Sequence, residues 1–216
     1  MVCFQTYQNT SNAILADTLC KKLNHRGYQA QFCADENAAV ESVLGLIPEQ
    51  ASVGIPGTVT IRQLGLMEKL SERGNKIFQH WDPSLKPEEK KQRFLDANSA
   101  DWFLTSSNAI TLSGDLVNID GVGNRVSAMA WAPGKILYVI GMNKICPDLQ
   151  SAIERVRNVA TPPNCIRLNG QTPCAKLGHC ANCDVPERVC RMLTIMERPP
   201  FGRESHILLV GANLGY

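Results

Sequence analysis

The stretch Lys135-Ile136-Leu137-Tyr138-Val139-Ile140-Gly141 decides the fold class. Its five central residues are all apolar, so a strand built from them has no polar face for water and must be covered on both sides. Such strands lie inside parallel sheets that carry helices on both faces. Pro133-Gly134, just upstream, stops a helix that the spacing predicts over 124–131. Farther upstream, strands are expected over 28–33, 51–55, 76–80 and 101–105. Helices over 9–25, 37–47 and 60–73, ended by Gly27, Pro48 and Gly74, separate the first of these. A polar segment over 82–98 reads as a surface helix or connector. It holds no flexible linker, so one α/β domain is expected over 1–216. Runs at 110–112 and 116–119 flank Ser113-Gly114-Asp115 as a β-hairpin. Downstream come a helix over 148–159 with Asp148 as its N-cap, a cysteine-rich segment over 173–191, and strands over 192–197 and 205–210. The alternation predicts a three-layer α/β domain with a mostly parallel sheet, in which the hairpin and the C-terminal strands are antiparallel additions.

The 216 residues are 44% hydrophobic and 19% charged, the composition of an ordinary globular domain. A net charge of +2 with no Lys/Arg block argues against nucleic acid as a partner. No apolar run approaches a membrane span, and the first eight residues lack the basic start and apolar core of a signal peptide, so a cytoplasmic location is expected.

In open α/β sheets ligands bind beyond the carboxyl ends of strands. After the strand at 51–55 comes Gly57-Thr58, a turn opening a helix, whose backbone N–H groups suit an anion, with Thr58 and Thr60 adding hydroxyls. After the strand at 101–105 comes Ser106-Ser107-Asn108. The run Asn118-Ile119-Asp120-Gly121-Val122-Gly123-Asn124-Arg125 places a carboxylate, two glycines, an amide and a guanidinium within eight residues. It reads either as a ligand site, since Arg beyond a glycine turn suits a carboxylate or phosphate, or as a capped turn held by Asp120 and Asn124. Lys144, after the deciding strand, brings a further cation. Asp120 is the expected general acid/base, and Gly57, Thr58, Asn108, Gly121, Gly123, Asn124, Arg125 and Lys144 the expected substrate contacts.

Nine cysteines are many for a chain of this size. Cys3, Cys20 and Cys33 read as small apolar filler, and Cys146 and Cys165 are scattered too. Cys174, Cys180, Cys183 and Cys190, spaced C-x5-C-x2-C-x6-C, are the candidate metal ligands. Three readings stay open: an iron–sulfur cluster such as [4Fe–4S], which accepts irregular spacing; zinc, which prefers two C-x2-4-C knuckles where this chain has one; and disulfides. His179 could replace one thiolate but reads more simply as a solvated side chain, and His25, His80 and His206 show no ligand spacing.

The segments from Phe103 to Thr111 and from Gly114 to Val126 resemble the LUD (lactate-utilisation) domain family. Gly141-Met142-Asn143-Lys144-Ile145 and the run from Pro173 through Cys190 resemble its cysteine-bearing branch. The likeness runs from about residue 51 to the end. It implies a fold like that of the CoA-transferase, ribose-phosphate isomerase and glucosamine-phosphate isomerase group. It also implies a link to bacterial lactate oxidation beside iron–sulfur or other oxidoreductase subunits. The tandem ferredoxin-type motifs of an iron–sulfur subunit are missing, so that subunit's electron-carrying role does not transfer. The resulting expectation is a protein that binds a small anionic metabolite and carries an iron–sulfur cluster on its four clustered cysteines. It would serve as an oxidoreductase component or have isomerase- or transferase-like activity. A non-catalytic accessory subunit with structural zinc in the cysteine loop is the alternative, and self-association into a homo-oligomer is left open.

Overall fold

The computed structural model describes residues 4–216; the filler reading of Cys3 lies outside them. The elements run α1 (Phe4–His25), β1 (Gln29–Cys33), α2 (Glu36–Leu46), β2 (Ser52–Gly54), α3 (Val59–Gln63), α4 (Leu66–Glu72), β3 (Lys76–Phe78), α5 (Pro87–Asn98), β4 (Trp102–Thr105) and β5 (Ala109–Thr111). They continue with β6 (Leu116–Asp120), α6 (Asn124–Ala130), β7 (Lys135–Gly141), β8 (Ile145–Cys146), α7 (Leu149–Arg155), α8 (Thr161–Arg167), α9 (Pro173–Leu177), β9 (Met192–Met196) and β10 (Ser205–Val210).

Six strands form a parallel sheet in the order β1-β10-β7-β4-β2-β3. The period of two along a strand sends alternate side chains to opposite faces. On β7, Leu137 and Val139 join a core with Val43 of α2, Ile47 just after it, and Leu66 and Leu70 of α4. Ile136, Tyr138 and Ile140 face the other way, onto Ala16, Leu19 and Leu23 of α1 and Met129 of α6. Both faces are therefore covered, as the apolar run requires. A second sheet, β8-β5-β6-β9, lies against that second core through Ile110 and Leu116. Its Ala109, Val117 and Cys146 pack on Ala152 and Val156.

Three boundaries differ from expectation. The strand at 205–210 is no antiparallel addition: β10 runs parallel between β1 and β7. It can do so because every residue in it is buried and apolar side chains alternate to the two cores. Of the two C-terminal strands only β9 is antiparallel, to β6, and the β5–β6 hairpin is antiparallel as expected. The helix expected over 60–73 is two helices, because Gly65 takes a left-handed conformation, φ 61°, and restarts the spiral as α4. The helix expected over 148–159 keeps its Asp148 cap, which accepts from the Ser151 amide at 2.8 Å, but runs on. A π turn over Val156–Ala160 passes directly into α8, whose first turn holds Pro162 and Pro163. Among the described residues no helix is long and apolar enough to cross a membrane. Cys20 and Cys33 are buried apolar filler.

Candidate functional site

Because the main strands are parallel, their carboxyl ends share one edge, and five of the six deliver residues to a single cavity of about 280 Å³. Gly57, Thr58 and Thr60 follow β2; His80 and Trp81 follow β3; Ser106 and Asn108 follow β4. Lys144 follows β7, and Gly215 and Tyr216 follow β10. The end of β6 closes one side with Asp120, Gly121, Asn124 and Arg125, and Asn164 and Arg167 of α8 close another. Of the expected ligand residues, only Gly123 does not line the cavity.

Gly123 instead makes the turn. Its φ of 93° is a conformation that side chains resist, and it lets the chain pass from β6 into α6. Asp120 holds this turn: one carboxylate oxygen accepts from the amides of Val122 (3.1 Å) and Gly123 (2.9 Å). The other lies 3.6 Å from Arg125 Nε. Arg125 is itself enclosed, donating to Asn108 Oδ1 at 2.8 Å and to the Ile119 carbonyl. Asn108 and Asn118 cross-brace the same corner, since Asn118 Oδ1 accepts from the Asn108 amide and Asn108 Oδ1 from the Ile119 amide, both at 3.0 Å. Burial pulls the Arg125 guanidinium below its ordinary pKa, and the Asp120 charge opposes that pull. The Gly-rich core is thus a braced turn that also faces the cavity, and both oxygens of Asp120 already have protein partners.

Lys144 is held differently. It is 3% exposed, and its Nζ donates to Thr60 Oγ1 and Ser106 Oγ, each at 3.0 Å. No carboxylate pairs with it among the described residues. Burial, reinforced by the charges of Arg155 and Arg125, pushes its pKa down to about 7. His80 is pushed down to about 4 by burial and then by Arg62, Lys90 and Arg167, so its imidazole is neutral at pH 7. The Trp81 ring lies between two guanidiniums, with Arg62 3.6 Å and Arg167 4.1 Å from its centroid. Gly57 makes room for that ring, because a Cβ there would stand 3.0 Å from Trp81 Nε1. His80, Trp81 and Arg167 were not among the expected site residues. The end of the strand at 76–80 signals the first two, whereas nothing in the local sequence signals Arg167. Among the described residues Asp120 is the only carboxylate side chain lining a cavity that also holds Arg125, Lys144 and Arg167.

Residues 16–210 match the family model of the LUD domain. The chain belongs to the LUD-domain family. A crystal structure described as a DUF162 family protein from Deinococcus radiodurans aligns with a TM-score of 0.54 at 13% identity, over 93% of this chain and 98% of that one. At that identity the likeness shows a shared fold. No curated protein matches the chain.

This LUD domain carries its cysteine segment beside the cavity. Cys174 sits in α9, Cys180 and Cys183 in the following loop, and Cys190 just before β9. All four line one small cavity of about 20 Å³ together with Arg157 and Arg188. Burial raises the Cys190 thiol, and Cys174 and Cys180 raise it further. Cys165, a scattered cysteine in the sequence, lies with its Sγ 3.6 Å from that of Cys174 and is pushed up to about 11. Arg188 ties the loop by donating to the carbonyls of Cys183 and Cys190, and Asn158 Oδ1 accepts from the Cys180 amide at 3.0 Å. The eight described cysteines are free thiols, and among the described residues no three acidic, His or Cys side chains are arranged to hold one metal ion. His179 is exposed and does not line the cysteine cavity. The two cavities share Thr161, whose Oγ1 is 3.7 Å from Cys190 Sγ. The loop also rests directly on the Gly-rich turn: the Arg191 amide donates to the Asp120 carbonyl at 3.1 Å. A Cβ on Gly121 would come within 2.8 Å of the Val189 carbonyl.

Proposed function

We propose that this LUD domain binds a small organic anion of the hydroxy-acid or oxo-acid class and works, with oxidoreductase partner subunits, in oxidation of a hydroxy acid. The observation carrying this reading is the pair of cavities that share Thr161, one cationic and one lined by four cysteines. Arg125 and Arg167 supply fixed positive charge for a carboxylate. Thr58, Thr60 and Ser106 offer hydroxyls for the ligand's own hydroxyl or carbonyl. A volume of about 280 Å³ suits a metabolite of a few carbons rather than an enclosed acyl-CoA. Asp120 braces the turn that presents Arg125, a positioning role in place of general acid/base catalysis.

The donor set fits an iron–sulfur cluster. Four thiols line a single space, with Arg157 and Arg188 at hand to offset thiolate charge. Cys174, Cys180, Cys183 and Cys190 would hold the cluster, which supplies one-electron transfer when bound. Structural zinc prefers two C-x2-4-C knuckles, and of these four cysteines only Cys180 and Cys183 form one.

Anaerobic purification and reconstitution test the metal half. The expected product is brown, absorbs near 400 nm and carries iron and sulfide that the Cys183→Ala variant loses; colourless protein with stoichiometric zinc overturns it. Thermal-shift comparison of lactate, sugar phosphates and CoA esters tests the ligand half. The hydroxy acid should stabilise the wild type, and Arg167→Ala should abolish that shift. Absence of any shift favours the accessory, non-catalytic subunit.

A further inference from the structure

We infer that Lys144 is a nucleophile that forms an imine with the carbonyl carbon of a 2-oxo acid bound in the cationic cavity. The inference rests on the reading that this cavity takes small organic anions. A lysine whose task is to hold charge is solvated or paired with a carboxylate; Lys144 is neither. Its amine is fixed by the hydroxyls of Thr60 and Ser106 at the floor of the cavity, under Gly215, where a Cβ would come within 3.0 Å of Nζ. Burial, and after it the cations Arg155 and Arg125, keep its neutral form populated near pH 7, the condition that activates a lysine toward carbonyls. The guanidiniums of Arg125 and Arg167 are the carboxylate anchors, and in a 2-oxo acid the electrophilic carbon is bonded directly to that carboxylate.

The step balances without a further reagent. The amine lone pair attacks the carbonyl carbon, a C–N bond forms, and the C=O π pair becomes an alkoxide that takes up a proton. The resulting carbinolamine expels its hydroxyl as water, and the two protons originally on nitrogen are matched by the two in that water. The product is C=N in place of C=O, with no change in oxidation state. A carbon held this way carries an electron sink next to its carboxylate, which favours proton exchange at the adjoining position.

Incubating the protein at pH 7 with pyruvate and cyanoborohydride, followed by intact-mass and peptide analysis, tests this. The expected result is one adduct per chain with the mass of pyruvate less one oxygen, confined to Lys144. Its occupancy should exceed that of any surface lysine by on the order of a hundredfold, since an ordinary lysine is overwhelmingly protonated at that pH. The Lys144→Met variant should show no such adduct while retaining a cooperative melt. Absence of the adduct, or labelling spread evenly over surface lysines, overturns the assignment. A pyruvate thermal shift without reductant separates the two failures. A shift without an adduct leaves the anion site standing and removes the nucleophile; neither shift nor adduct removes both.

Discussion

Lys144 and Asp120 face the same cavity but are stabilised in opposite ways, and their responses to substitution should differ accordingly. The folded protein disfavours the Lys144 proton, with a pKa near 7 against 10.5 for an ordinary lysine. The unfolded chain therefore binds more protons between those values, and stability rises with pH through that window, by at most about 1.4 kcal/mol per pH unit. The groups facing it, Arg125 and Arg155, stay charged throughout, and Thr60 and Ser106 do not titrate. Wild-type Tm should climb from pH 7 to 8.5, and Lys144→Met should flatten that climb. A variant with the wild-type slope would show that Lys144 titrates normally. For Asp120 the loss is of hydrogen bonds. Asp120→Ala should cost about 1–3 kcal/mol in chemical denaturation by orphaning the Val122 and Gly123 amides, while Asp120→Asn, which keeps an acceptor, should cost less than half of that. Asp120 and Arg125 were legible in the sequence because a glycine turn announces itself locally. The state of Lys144 was not, since it is set by burial and by Arg155 and Arg125, and its amine is held by Thr60 and Ser106, 84 and 38 residues away.

Elements followed the sequence most closely where one principle acted alone. β7 needed nothing beyond its unbroken apolar run, and the hairpin of β5 and β6 was announced by Ser113-Gly114-Asp115. Where two principles competed the pattern misled. Apolar spacing over 60–73 argues for one helix, yet Gly65 divides it; β10 resembles its neighbour β9 in pattern but belongs to a different sheet. The contact between the cysteine loop and β6 was likewise invisible, since it depends on β9 pairing Met192 with Asp120. That contact can be tested at Gly121. Its alanine variant forces a Cβ toward the Val189 carbonyl and should lift the loop, costing about 1–3 kcal/mol and sharply lowering metal uptake. Gly45→Ala, with nothing within 4 Å in the last turns of α2, should instead stabilise by about 0.4–1 kcal/mol and leave metal uptake unchanged. Equal metal content in both variants would detach the loop from the turn.

For the molecule as a whole, ligand occupancy should register as global stability, because the cavity draws on five strands of one sheet. A ligand at a hundred times its Kd adds about 2.7 kcal/mol, which for a domain of this size corresponds to a Tm rise of roughly 5–10 °C. A saturating ligand that moves Tm by much less would be bound elsewhere than at the strand ends. The strand order carries a separate consequence, for how the chain is made. β1 has a single neighbour in the sheet, β10, and so a ribosome that has delivered residue 33 must add the chain through residue 205 before that neighbour exists. At 5–20 residues per second the interval is roughly 10–35 s. During it β1 has no strand to pair with, and the hydrogen-bonding edge of β7 destined for β10 stays open. The cysteine segment emerges inside this interval, ahead of β10. Its thiols are therefore made before the strand that completes the sheet.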